Sequence, residues 1–89
     1  MAKADIAQTG LAHAAARFPE AAARLRRLAL ADPGFRDLCE DYGLAKESLA
    51  RFEARPDAAE RPEITEYRSL IAELECEIDR FLREARLEG

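Results

Sequence analysis

The sequence predicts an all-α fold, an antiparallel helical hairpin that resembles a coiled coil, with an additional short N-terminal helix. Two apolar runs predict the hairpin, because their members recur at alternating steps of three and four residues. Two prolines, Pro56 and Pro62, lie between the runs and favour a reversal of the chain there. The runs are Phe35, Leu38, Tyr42, Ala45, Leu49 and Phe52, then Ile64, Tyr67, Ile71, Leu74, Ile78 and Phe81.

Folded back on each other, the two runs form layers of facing side chains. Leu70 and Leu82 lie beside this seam, so the last helix has a wider apolar face than a two-helix hairpin needs. We therefore expect the chain to form a homodimer, in which two hairpins cover each other's flanks, or to bind another protein. The predicted layers are Phe35 with Phe81, Leu38 with Ile78, Tyr42 with Leu74, Ala45 with Ile71, Leu49 with Tyr67, and Phe52 with Ile64.

The first part of the chain is alanine-rich and has little apolar surface to bury. Residues 1–18 therefore predict a poorly ordered or frayed helix, which Gly10 weakens further. Phe18 precedes a proline, which disfavours helical backbone at that position. A short helix is expected over 19–31, because Pro19 suits a first helical turn and Glu20 suits the positive end of the helix dipole.

The hairpin helices are predicted over 33–54 and 63–87, within one domain of 89 residues. Asp32 is a good N-cap residue, and Pro33 follows it at the first helical position. Gly43 is expected to be a weak point that costs about 1 kcal/mol relative to alanine. Glu47 and Arg51 have the spacing of a surface ion pair. The segment 55–62 is the predicted turn.

Composition excludes some classes of protein and favours others. No stretch is long and apolar enough for a membrane span, and the N-terminus lacks the pattern of a signal peptide, so a cytoplasmic location is expected. The net charge of −4 is unevenly distributed. Residues 1–27 contain five basic residues and two acidic ones, whereas the remainder contains nine basic and sixteen acidic ones. Such a split favours contact between a basic segment and an acidic protein surface.

No group of residues has the pattern of a catalytic, cofactor or metal site, so we expect no enzyme. Cys39 and Cys76 are too far apart in sequence for a metal motif, and neither has an activating neighbour. His13 has no carboxylate close to it in the sequence, which favours a solvated surface position. The carboxylates at 73, 75, 77 and 79 point to different sides of a helix and cannot converge on one ion.

The best candidates for recognition are basic. Arg24, Arg26 and Arg27 follow one another in the short helix, where a solvated face is the simpler interpretation. The alternative function is a nucleic-acid-associated accessory protein that uses the segment Arg17 to Arg27. We do not expect nucleic acid to be the partner, because no stacking aromatic residue is interleaved with the arginines. The predicted interaction residues are thus Arg24, Arg26, Arg27, Leu70 and Leu82.

About two thirds of the chain resembles the YdcH-like family of small bacterial proteins. The resemblance implies an antiparallel coiled coil, no catalytic residues and no established function. The centre of the last helix departs from it, since the acidic segment 72–77 replaces a lysine-rich one. The residues that carry the resemblance are Phe18-Pro19-Glu20, Leu28 to Asp32, Asp32-Pro33-Gly34-Phe35-Arg36-Asp37-Leu38 with Glu40 and Tyr42, and Arg51-Phe52-Glu53.

Overall fold

The chain folds into four α-helices that share one core. This computed structural model describes the backbone of residues 2–88 and the side chains of residues 9–85. The predicted all-α class is confirmed. The helices are α1 (Ala2–Arg17), α2 (Ala22–Ala31), α3 (Pro33–Glu53) and α4 (Pro62–Glu88), with 3-10 turns over Pro19–Ala21 and Ala58–Glu60.

Helices α3 and α4 form the predicted hairpin. At its open end the rings of Phe35 and Phe81 are 5.3 Å apart, as the predicted layer requires. Near the turn, the ring of Phe52 lies 5.7 Å from that of Tyr67, whereas the layers paired Phe52 with Ile64. The ring of Phe52 is large enough to reach Tyr67 in the neighbouring layer, and offset aromatic pairs are stable at this separation.

Helix α3 begins with the expected N-cap, and an aspartate binds two arginines in the turn. The Oδ1 atom of Asp32 accepts hydrogen bonds from the backbone N–H groups of Gly34, at 2.9 Å, and Phe35, at 3.2 Å. This satisfies two of the donors that a helix N-terminus leaves unpaired. In the turn, Asp57 binds Arg55 at 3.1 Å and Arg61 at 3.3 Å. These contacts hold the chain where it reverses.

Helix α1 differs most from the sequence-based expectation. It is helical from Ala2 to Arg17, and its described part packs closely on α3. The backbones touch where the two helices cross, because a Cβ atom on Gly43 would lie 2.6 Å from the Cα atom of Gly10. Ala14 and Ala15 are buried beside this crossing. The expectation of a frayed helix with little to bury is corrected for residues 9–17, since glycine and alanine permit a close approach to α3 that compensates for the low helix propensity of Gly10. Side-chain contacts of residues 1–8 lie outside the described part.

Helix α2 covers the open end of the hairpin. Leu25 and Ala29 of α2 are buried in the same core as Leu82 of α4. Leu82, which is only 2% exposed, is therefore covered within the chain itself and needs no second molecule. The predicted short helix begins with a 3-10 turn at Pro19, and its regular α-helical part starts at Ala22. Leu28 is half-buried, but Leu30 faces outward.

Candidate interaction surface

The two thiols lie in different environments. Cys39 is fully buried, and this burial, followed by the nearby charge of Glu40, raises the pKa of its thiol to about 12. A thiol with this pKa stays protonated at neutral pH and is a poor nucleophile. Cys76 is exposed on α4. The structure thus places one cysteine in the core and the other on the surface.

His13 lies beside a carboxylate that is distant in the sequence. Its Nε2 atom is 3.0 Å from the Oε2 atom of Glu47, so the pair joins α1 to α3. Two expectations are corrected, because His13 has a carboxylate partner and Glu47 pairs with His13 rather than with Arg51. Among the described residues, no group of three His, Cys, Asp or Glu side chains is placed to hold a metal ion.

A hydrogen-bonded polar group joins three of the helices. The hydroxyl of Tyr42 donates to the Oε2 atom of Glu75 at 2.8 Å, and the Nε atom of Arg17 lies 3.3 Å from the same oxygen. Burial, and then the hydrogen bond to Glu75, raise the pKa of Tyr42 above its usual value. Tyr42 is fully buried, so its hydroxyl does not reach water. The hydroxyl of Tyr42 is therefore inaccessible to a substrate.

An open apolar groove lies between the two hairpin helices, α3 and α4. Leu44 of α3 is 46% exposed and Leu70 of α4 is 42% exposed, so both side chains leave apolar surface open to solvent. They border a shallow cavity of about 300 Å³ between the helices, which we call the α3–α4 groove. The cavity is lined by Asp41, Leu44, Ala45, Ser48, Tyr67, Leu70 and Leu74.

Acidic side chains border the α3–α4 groove. Asp41 lines it directly, three residues before Leu44. On α4, Glu66 and Glu73 lie one helical turn on either side of Leu70. These three carboxylates are exposed, and no basic group of the described chain lies within ion-pair distance of them. The groove thus combines an apolar centre with a negative border.

The predicted interaction residues lie in different environments. Leu70 borders the α3–α4 groove, and Arg26 and Arg27 are exposed on α2. Arg24 is half-buried, and Leu82 belongs to the core, so the prediction of Leu82 as a surface contact is wrong.

The predicted interaction residues include neither Leu30 nor Leu44, two apolar residues that the structure leaves exposed. The sequence did contain a signal for Leu44. It is a large apolar residue of α3 that does not belong to the apolar run facing α4, because it comes one residue before Ala45 of that run. Leu30 follows Arg26 by four residues and Arg27 by three, a spacing that places all three on one side of a helix.

Comparisons with known proteins give no relative. No family model matches the chain, and neither the curated proteins nor the solved structures contain a significant match. The resemblance to the YdcH-like family stays a prediction from the sequence. None of the helices, over their described residues, combines the length and apolar character that crossing a membrane requires.

Proposed function

We propose that this chain is a non-catalytic helical module for protein–protein interaction or assembly. The observation that carries the proposal is the α3–α4 groove, where Leu44 and Leu70 remain 46% and 42% exposed after all four helices have packed. The two leucines lie together in one groove, and an exposed apolar patch with a polar rim marks a protein interaction site. Catalysis has no comparable support, because the buried thiol of Cys39 and the buried hydroxyl of Tyr42 both stay protonated at neutral pH.

The groove also defines the chemistry of its partner. An apolar side chain would fill the space between Leu44 and Leu70, and basic groups beside it would meet Asp41, Glu66 and Glu73. Charge complementarity of this kind directs orientation and speeds association more than it adds affinity. The partner that fits is therefore a helix with a leucine-like residue flanked by lysine or arginine.

Photocrosslinking from inside the groove tests this function. A photoreactive residue in place of Leu70 is expected to crosslink to protein in living cells. The same residue in place of Ala72, which is exposed elsewhere on α4, serves as the control. Adding Leu44→Asp to the Leu70 probe should abolish the crosslink, since a charge would be placed in the apolar contact. Equal crosslinking from positions 70 and 72 would contradict the proposal.

The rival function is nucleic-acid association through the segment Arg17 to Arg27. Its support is weaker, because Arg17 binds Glu75 and stacks on Phe18, with its guanidinium 4.9 Å from the ring centroid. Fluorescence anisotropy with labelled single-stranded DNA and RNA distinguishes the two functions. We expect no binding at about 150 mM salt, whereas tight binding that weakens steeply with salt would favour the rival. A cytoplasmic location and membership of the YdcH-like family are further proposals from the sequence.

A further inference from the structure

The most exposed large apolar residue of the described chain lies on α2, away from the α3–α4 groove. Leu30 is 86% exposed, although Leu25 and Ala29 of the same helix are buried. Arg26 and Arg27, four and three residues before Leu30, share its outward side and are also exposed. We call Arg26, Arg27 and Leu30 the α2 knob. Nothing within the described chain covers its leucine.

The α2 knob has the chemistry that the α3–α4 groove requires. The knob is a leucine with two arginines beside it, and the groove is an apolar centre with carboxylates beside it. The large apolar side chains that stay exposed in the described chain are Leu30, Leu44 and Leu70. One contact between knob and groove would cover all three. It would also bring the basic N-terminal part of one chain against the acidic remainder of another.

We propose that the partner is a second copy of this chain, whose α2 knob occupies the α3–α4 groove. This inference rests on the proposed function and names its partner. In the contact, Leu30 of one copy packs between Leu44 and Leu70 of the other. Arg26 and Arg27 of the first copy then lie near Asp41, Glu66 and Glu73 of the second.

The contact joins two different surfaces of the chain. If each copy inserts its knob into the groove of the other, the two contacts form a closed, isologous pair with two-fold symmetry. If the insertions are not reciprocal, the contact is heterologous and continues into a chain. The contact uses one helical turn of α2 and is small. We therefore expect reversible association with a Kd of roughly tens to hundreds of micromolar. Because arginines meet carboxylates at the rim, added salt should weaken it.

Sedimentation equilibrium measures the association directly. Over about 10 to about 500 μM, the weight-average mass of the wild-type protein should rise above the 9.9 kDa of one chain. The rise should be smaller at about 500 mM than at about 50 mM salt. Leu30→Asp removes the knob and Leu70→Asp disrupts the groove, so each variant alone should stay at the mass of one chain. Ala72→Asp, also on the exposed surface, should associate like the wild type.

Mixing the two variants tests the specific pairing. Leu30→Asp keeps an intact groove and Leu70→Asp keeps an intact knob, so their equimolar mixture should recover association, to a pair but no further. A mixture in which both variants stay monomeric would overturn the proposal, as would a wild-type protein that stays monomeric throughout. Circular dichroism should show both variants folded, because Leu30 and Leu70 are exposed.

The outcomes separate this inference from the proposed function. A monomeric wild type whose position 70 still crosslinks to a different protein would overturn self-association and leave the interaction module intact. If Leu30→Asp still self-associated like the wild type, the α2 knob would not be the contact surface. The second copy would then be bound by another surface.

Discussion

The α3–α4 seam and the α1–α3 crossing hold the same core together with opposite kinds of residues. Across the seam, large side chains such as Phe35, Phe81 and Ile78 fill the space between the helix axes. At the crossing, Gly10 and Gly43 leave almost no side chain, and the two backbones touch. The seam is stabilised by the apolar area it buries, whereas the crossing is stabilised by close van der Waals contact over a short distance.

This difference shows what apolar periodicity can and cannot detect. A seam of large residues produces alternating steps of three and four in the sequence, because each layer needs an apolar residue. A crossing of small residues produces only glycine and alanine, which also occur in loops and on exposed helix faces. Measured stabilities of substitutions in the two regions can test whether they differ as their packing indicates.

The largest effect is expected in the seam. Ile78→Ala should lower the free energy of unfolding by about 2 to 5 kcal/mol, because Ile78 is fully buried and its truncation leaves a cavity. Leu38→Ala should cost less, since Leu38 is only half-buried. Urea denaturation followed by circular dichroism gives both values. If Leu38→Ala proved the more costly of the two, the burial along the seam would be misassigned.

The crossing should respond to added volume instead of lost volume. Gly43→Ala should cost about 1 to 3 kcal/mol, since its Cβ atom would lie 2.6 Å from the Cα atom of Gly10 and α1 must shift. At a solvated helix position the same change is stabilising by up to about 1 kcal/mol. Gly34→Ala, on the same helix, is the comparison and should cost less. Its Cβ atom would meet only the Oδ1 atom of the capping Asp32, at 3.2 Å, and a side chain can shift by a few tenths of an ångström more easily than a backbone can. Equal stabilities of the two variants would show that α1 does not depend on the glycine contact.

Much of the fold follows from local sequence signals. The Asp32 cap, the reversal between Pro56 and Pro62, and the facing rings of Phe35 and Phe81 are each set by residues close in sequence or by the seven-residue repeat. The place of α1 does not follow from such signals, because Gly10 lowers helix propensity locally and gains its value only against Gly43. Tertiary contact outweighed local propensity at this position.

The candidate site was predictable only in part. Leu70 was found because it widens the apolar face of α4, and Arg26 and Arg27 were found by their charge. Leu82 was assigned to the surface by the same argument as Leu70, but α2 covers it. The width of the apolar face can be read from the sequence. The part of that face that stays exposed depends on where α1 and α2 pack.

A change in stability of intermediate size is expected at alkaline pH. It arises from Cys39, whose backbone lies beside Gly10 at the α1–α3 crossing. The pKa of Cys39 is about 12 in the folded chain against 9.0 for an unperturbed thiol, so between these values the unfolded chain loses a proton that the folded chain keeps. Stability should therefore be unaffected below about pH 9 and then fall by about 1.4 kcal/mol per pH unit.

Urea denaturation at about pH 8, 9 and 10 measures this slope, and Cys39→Ala should remove most of it. Any loss of packing in Cys39→Ala should be the same at each pH. Tyr42 adds a smaller slope in the same direction from about pH 10, where an ordinary tyrosine of the unfolded chain begins to lose its proton and the buried Tyr42, whose pKa is raised, keeps it. An undiminished slope in Cys39→Ala would mean that another group, and not the buried thiol, senses the alkaline pH.

The smallest effect should arise where the two regions are joined. Tyr42→Phe removes the hydroxyl that donates to Glu75 but leaves the carboxylate paired with Arg17, so a loss of about 1 kcal/mol is expected. Tyr67→Phe is the control, because the Tyr67 hydroxyl has no hydrogen-bond partner among the described residues, and it should be neutral. Arg17→Ala alone should cost less than about 1 kcal/mol, since Arg17 is 53% exposed.

A double-mutant cycle between Tyr42→Phe and Arg17→Ala then measures whether the two bonds to Glu75 support each other. Coupling of about 0.5 kcal/mol or more would show that the hairpin seam and the α1 crossing are linked through this carboxylate. Additive losses would instead mean that the polar group contributes the same stability whether or not α1 supplies its arginine. The place of α1 would then depend on its packing against α3 and on the His13–Glu47 pair.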